Sequence, residues 1–183
     1  MPVLFFIRHG ETEANVNGIL TGTMETNLTQ KGIEDAKKLN KDLKEKFDFY
    51  YCSPLKRTQQ TLSAIKGDVK FIVDPRLTEV SSGDWQGKLK SELPEQEYAL
   101  YKQGLLNPPN GESLIEVDKR IKLFLDEMFT KYNNENKILI VTHNAFMRNL
   151  KRLFANGNKV EEPNNLEIFK VDNEMYNKIK NNN

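Results

Sequence analysis

One cysteine, two histidines and one tryptophan occur in 183 residues, and each scarcity excludes something. Cys52 alone can close no internal disulfide and build no thiolate zinc cage, and it reads as a small apolar residue at a strand end. Long hydrophobic runs are also missing. The longest, Val3 to Ile7 and Ile138 to Val141, fall far short of the ~20 residues that span a bilayer, so no membrane segment is expected. Arg8 ends the first run too early for a secretory signal, which predicts a cytoplasmic protein. Charge of one sign is lacking too: 27 basic against 26 acidic residues leave a net +1, which argues against a broad nucleic-acid face. Repeats and a Walker-type glycine loop are absent. The length predicts one domain, residues 1–183, with enough apolar content (38%) to cover both faces of a sheet.

Apolar runs alternate with helical periodicity to about Phe154. This predicts an α/β fold, three layers α/β/α around a mostly parallel central sheet. The first strand is Val3 to Ile7, followed by a loop from Arg8 to Leu28. Thr29 can cap a helix to about Phe47 on a stripe of Ile33, Ala36, Leu39, Leu43 and Phe47. A strand over Phe49 to Cys52 precedes Ser53-Pro54, which reads as a helix cap with proline at the first helical position. Lys70 to Val73 is a third strand. The irregular stretch from Asp74 to Asn110, with a short helix near Ser91 to Gln103, is too long to be idle connection. Ser113 and Glu116 fit a capping box opening a helix to about Tyr132. A strand at Ile138 to Val141, a helix from Ala145 to Phe154 and a strand at Leu166 to Val171 follow, with a hairpin partner near Glu174 to Ile179. The asparagines at 133, 134 and 136 suit a loop, and the three at 181–183 a fraying end.

His9 and His143 each come just after a strongly apolar strand. Ligands of open α/β sheets bind beyond the carboxyl ends of the strands, so the two would face one another across one crevice. Only 6 of the 27 basic residues are arginine, and Arg8 and Arg57 lie beside these strand ends. Arginine offers a bidentate fork to phosphoryl oxygens that lysine cannot copy. Taken singly, Arg57 also suits a helix surface and Asn15 a turn. Arg120 and Arg148 read as ion-pairing helix residues outside the site.

Around His9 the chain runs Arg8-His9-Gly10-Glu11-Thr12-Glu13-Ala14-Asn15, which resembles the signature of the histidine phosphatase, or phosphoglycerate mutase-like, superfamily. Agreement continues at Leu28-Thr29 with Gly32, Ser53-Pro54 with Arg57-Thr58, Glu79 with Gly83, Trp85 and Gly87, Gly111-Glu112-Ser113, and Val141-Thr142-His143. The resemblance implies that His9 is a nucleophile taking a phosphoryl group from a small-molecule phosphate ester. Arg8, Arg57 and His143, the last as a cation or donor, would meet the phosphoryl oxygens. It further implies substrate contacts at Asn15, Thr21, Gly22 and Asn144, with no metal and no cofactor. One family branch places a donor aspartate directly after the second histidine. Asn144 stands there and cannot release a proton, so the mutase-like branch fits better, with Glu79 as general acid.

Cysteine-dependent phosphatases need five residues between cysteine and arginine, and only four separate Cys52 from Arg57. Within the family a phosphoglycerate mutase is the alternative, although glycolytic mutases are longer, with extra loops closing the site. A non-catalytic phosphate-binding module is the second alternative, and it would not need His9 or Glu79. Gly111-Glu112-Ser113 could touch the substrate's far end or simply cap its helix, and Trp85 reads as a loop anchor. Lys88, Lys90, Tyr98, Tyr101 and Lys102 are candidates for specificity. The physiological substrate and the oligomeric state are not legible.

Overall fold

The computed structural model describes residues 1–155 and 160–180. Five strands form one sheet: β1 (Val3–Arg8), β2 (Phe49–Cys52), β3 (Ile72–Val73), β4 (Lys137–Thr142) and β5 (Ile168–Val171), in the order β3-β2-β4-β1-β5. All neighbours are parallel except β5, which runs antiparallel to β1. This is the expected α/β architecture. Side chains alternate along β1. Leu4 and Phe6 point into a core closed by α5 (Leu114–Lys131), α6 (Asn144–Phe154) and α7 (Asn173–Lys180). Phe5 and Ile7 point into the opposite core, against α2 (Gln30–Asp42) and α3 (Lys56–Lys66). Two further helices, α1 (Glu13–Val16) and α4 (Glu95–Gln103), lie in the connections that follow β1 and β3.

Several boundaries differ from the sequence expectation, each for a physical reason. Helix α2 ends at Asp42 rather than Phe47, because the chain must turn into β2; Phe47 leaves the helix and packs edge-on against Phe5, ring centroids 5.2 Å apart. Strand β3 shrinks to two residues, since it pairs only with Tyr51 and Cys52 at the end of the short β2. The Ser91 to Gln103 helix is a 3₁₀ turn at Lys90–Glu92 followed by α4. The expected hairpin partner at Glu174 to Ile179 is helix α7 instead. Asp172 accepts from the Met175 amide to start it, and Tyr176 and Ile179, three residues apart, bury one face, with Tyr176 stacked on Phe129. The expected fraying at 181–183 lies outside the described residues.

The middle connection is anchored as expected by Trp85, which is buried edge-on against Tyr101. The predicted capping box at Ser113 forms, with Ser113 Oγ and the Glu116 carboxylate each accepting from the other's backbone amide. Glu112 pairs with Arg120. The Gly111-Glu112-Ser113 run is thereby committed to capping and to an ion pair. Among the described residues no helix is long and apolar enough to cross a membrane.

Candidate active site

Strand register brings the two histidines together. Arg8 pairs with Thr142 across β1 and β4, so His9 and His143 leave the sheet side by side, and their rings sit 5.3 Å apart. Ser53 follows β2 on the other flank of β4, its amide donating to the Val141 carbonyl. The site thus lies beyond the carboxyl ends of three adjacent parallel strands. Close backbone approach shapes the turn after β1. A Cβ at Gly32 would lie 2.3 Å from the Glu11 carbonyl oxygen, and one at Gly10 would lie 2.9 Å from that of Gly32. Helix α2, capped by Thr29, therefore docks directly against the histidine turn.

The tautomer of each histidine is set by its partner. His9 Nδ1 lies 2.7 Å from the Gly10 carbonyl oxygen, which can only accept, so Nδ1 carries the hydrogen and Nε2 keeps its lone pair. Burial foremost, then the charges of Arg57 and Arg8, hold the His9 pKa well below its usual value, and the ring is neutral. At His143 the logic inverts: Arg57 Nε donates to Nδ1 at 3.2 Å, leaving Nε2 to donate to Ser53 Oγ at 2.8 Å. Burial and Arg57 push its pKa well down too. Both ring nitrogens of His143 are thus engaged by side chains of the protein.

Arg57 is 1% exposed, and its fork closes on the chain itself, Nη1 on the Met24 carbonyl and Nη2 on that of Gly22, each at 2.8 Å. It holds the loop over residues 22–24 and donates to His143. The cleft is lined by Arg8, His9, Asn15, Thr21, Gly22, Glu79 and Asn144 together with Ile19, Leu20, Ser82, Lys90 and Tyr101. Seven of the nine residues singled out from sequence therefore share one cleft wall. Arg57 and His143 are buried beside it. Arg8 donates from Nη1 to the Pro163 carbonyl at 2.6 Å, while its Nε is buried with no partner among the described residues. Asn144 Oδ1 is likewise unpartnered.

Glu79 is buried and held by three amides: Oε1 accepts from Val80 and Phe146, and Oε2 from Ala145 alone, at 3.2 Å. Oε2 is thus the carboxylate oxygen with fewer donors. Of the residues named for specificity, Lys90 and Tyr101 line the cleft, and Lys88, Tyr98 and Lys102 do not. Burial lowers the Lys90 pKa and raises that of Tyr101. Arg120 and Arg148 form ion pairs with Glu112 and Glu162. Cys52 is buried, which pushes its thiol up to about 12 and makes it inert.

Sequence reasoning missed Ser53 as a site residue. It reads as a helix cap, yet α3 starts at Lys56 with Leu55, which has no capping group, at the N-cap; Ser53 Oγ instead accepts from the Leu55 amide and from His143. It also missed Asn165, which donates to the His9 carbonyl at 2.9 Å. Neither contact leaves a local signal, the partners being 90 and 156 residues apart in the chain.

A family model, the histidine phosphatase superfamily (branch 1), matches residues 4–182. The chain belongs to that superfamily. It is 33% identical to a phosphoserine phosphatase of Hydrogenobacter thermophilus, over 81% of this chain and 74% of that one. It is also 34% identical to a 2,3-bisphosphoglycerate-dependent phosphoglycerate mutase of Bartonella henselae, over 80% and 78%. A mycobacterial glucosyl-3-phosphoglycerate phosphatase solved with VO3 shares the fold at a TM-score of 0.83, covering 93% of this chain and 92% of that one at 22% identity.

Proposed function

We propose that the protein hydrolyses phosphomonoesters of small organic molecules through a phosphohistidine at His9. The observation that carries this reading is the His9 ring: its pKa held well down, its hydrogen placed on Nδ1 by Gly10, so that Nε2 keeps its lone pair in a cleft that Arg8 also lines. Nε2 attacks phosphorus and the ester oxygen leaves, taking a proton from Glu79 Oε2. Water then attacks the phosphohistidine and returns a proton to Glu79, and Nε2 is freed with its lone pair. Arg8 meets the charge on the phosphoryl oxygens, supported by the Asn15 amide and by Thr21, Gly22 and Asn144 along the wall, with Arg57 adding fixed positive charge from behind. Turnover is proposed to need no metal and no cofactor, because arginines supply the charge neutralisation.

Hydrolysis is favoured over mutase chemistry by the cleft itself. Beyond Arg8, Lys90 is the one cationic side chain among the described lining residues, which supports a reading in which the phosphorylated product leaves and water takes its place. Residues 1–183 are proposed to act as one cytoplasmic domain that uses neither nucleic acid nor membrane. A panel of phosphomonoesters, sugar phosphates and phosphoglycerates, followed for free phosphate and for isomers with and without EDTA, tests the proposal. Free phosphate, insensitive to EDTA, is expected. Isomer formation without phosphate release identifies a mutase, and binding without turnover identifies a non-catalytic module.

A further inference from the structure

The geometry points to Asn165 as a positioning residue that fixes the orientation of the Asn15 amide and so presents a donor to the phosphoryl group; the inference rests on the phosphatase reading above. Asn15 Oδ1 accepts the Thr12 amide at 3.1 Å and Asn165 Nδ2 at 3.3 Å. With two donors on Oδ1, the NH2 end of Asn15 is left as the group the side chain offers to the cleft it lines. The Thr12 bond alone belongs to the cap of α1, a helix of four residues. Asn165 adds a second, long-range donor to that bond, and the same Nδ2 holds the His9 carbonyl at 2.9 Å. One amide thus ties together the backbone of the nucleophile and the orientation of a neighbouring ligand.

The segment carrying Asn165 is built to hold it there. The Leu166 amide donates to the Arg8 carbonyl at 3.0 Å and the Arg8 amide to the Glu167 carbonyl at 3.1 Å, while Arg8 Nη1 reaches Pro163. Glu167 also accepts the Asn164 amide and pairs with Lys151. Leu166 sits at φ +62°, a left-handed conformation that a non-glycine residue adopts at a cost of about 1–3 kcal/mol and keeps only where its surroundings over-determine it. That strained residue directly follows Asn165, whose side chain reaches the His9 carbonyl.

The test is vanadate inhibition and thermal unfolding of Asn165→Ala, Asn165→Asp, Asn15→Ala and the two double variants. Asn165→Ala should weaken vanadate binding about 3- to 10-fold, the worth of one hydrogen bond. Asn165→Asp keeps the shape but sets a carboxylate against both Asn15 Oδ1 and the His9 carbonyl, so its loss should be larger than that of Asn165→Ala, with the melting temperature reporting the part that is structural. In the Asn15→Ala background the loss caused by Asn165→Ala should shrink, since coupled partners are non-additive, leaving only the part carried by the His9 carbonyl. Equal losses with and without Asn15, or no loss for Asn165→Asp, overturn the inference alone. Asn15→Ala binding vanadate normally overturns the role of Asn15 and the inference with it. An unmodified protein that vanadate does not inhibit overturns the phosphatase reading and, with it, the inference.

Discussion

At the scale of single residues, the division of labour between two carboxylate-rich stretches can be measured. Glu79 lies in the cleft with Oε2 the less engaged oxygen, whereas Glu11 is tied to Thr29 and lies near Lys31. Glu79→Gln should therefore slow release from an alkyl phosphate about 10²–10⁴-fold and from an aryl phosphate much less, because only a proton donor's worth depends on the leaving group. Arg57→Ala should slow both esters alike, through loss of fixed charge and of the 22–24 loop. Burst kinetics of the first step check this, and equal losses for Glu79→Gln would remove it as the acid. Arg8, His9, Asn15 and Glu79 were legible because each stands in a short local signature. The engagement of Arg57 and His143 was not, since it depends on Gly22, Met24 and Ser53, brought in from other loops.

Among the elements, helix α2 has a role that propensity alone would misjudge. Gly32 sits in its first turn, where alanine is intrinsically favoured by about 1 kcal/mol. The 2.3 Å approach to the Glu11 carbonyl reverses the sign. Gly32→Ala should lose about 1–3 kcal/mol of stability and also slow turnover, because the helix is pushed off the turn that aims His9. Denaturant unfolding and steady-state rates check this, and a raised melting temperature would contradict it. The main helices and strands were readable from apolar periodicity. The departures fall where tertiary contacts override it: Phe47 leaves α2 to meet Phe5, and Tyr176 finds Phe129 from a helix rather than a strand.

For the whole molecule, two buried neutral histidines make stability depend on pH with a definite sign. Both have folded pKa values well below the unfolded value of about 6.5, so below that pH the unfolded chain binds more protons than the folded one. Stability contributed by keeping them neutral is complete above about pH 6.5 and falls as pH drops, by up to about 1.4 kcal/mol per pH unit for each histidine. Urea midpoints between pH 7.5 and 5.5 should show this slope, and His9→Gln should lessen it; an unchanged slope would mean that His9 takes up protons equally in the folded and the unfolded chain. The sheet, the helical layers and this buried pair together aim one imidazole nitrogen at one cleft. Rapid alkaline quench of the working enzyme followed by mass spectrometry tests that most directly, because phosphoramidates survive alkali. Phosphate should be found on His9 during turnover and nowhere in a His9→Gln variant, whereas phosphate on His143, a serine or Cys52, or steady turnover by His9→Gln, would contradict the account.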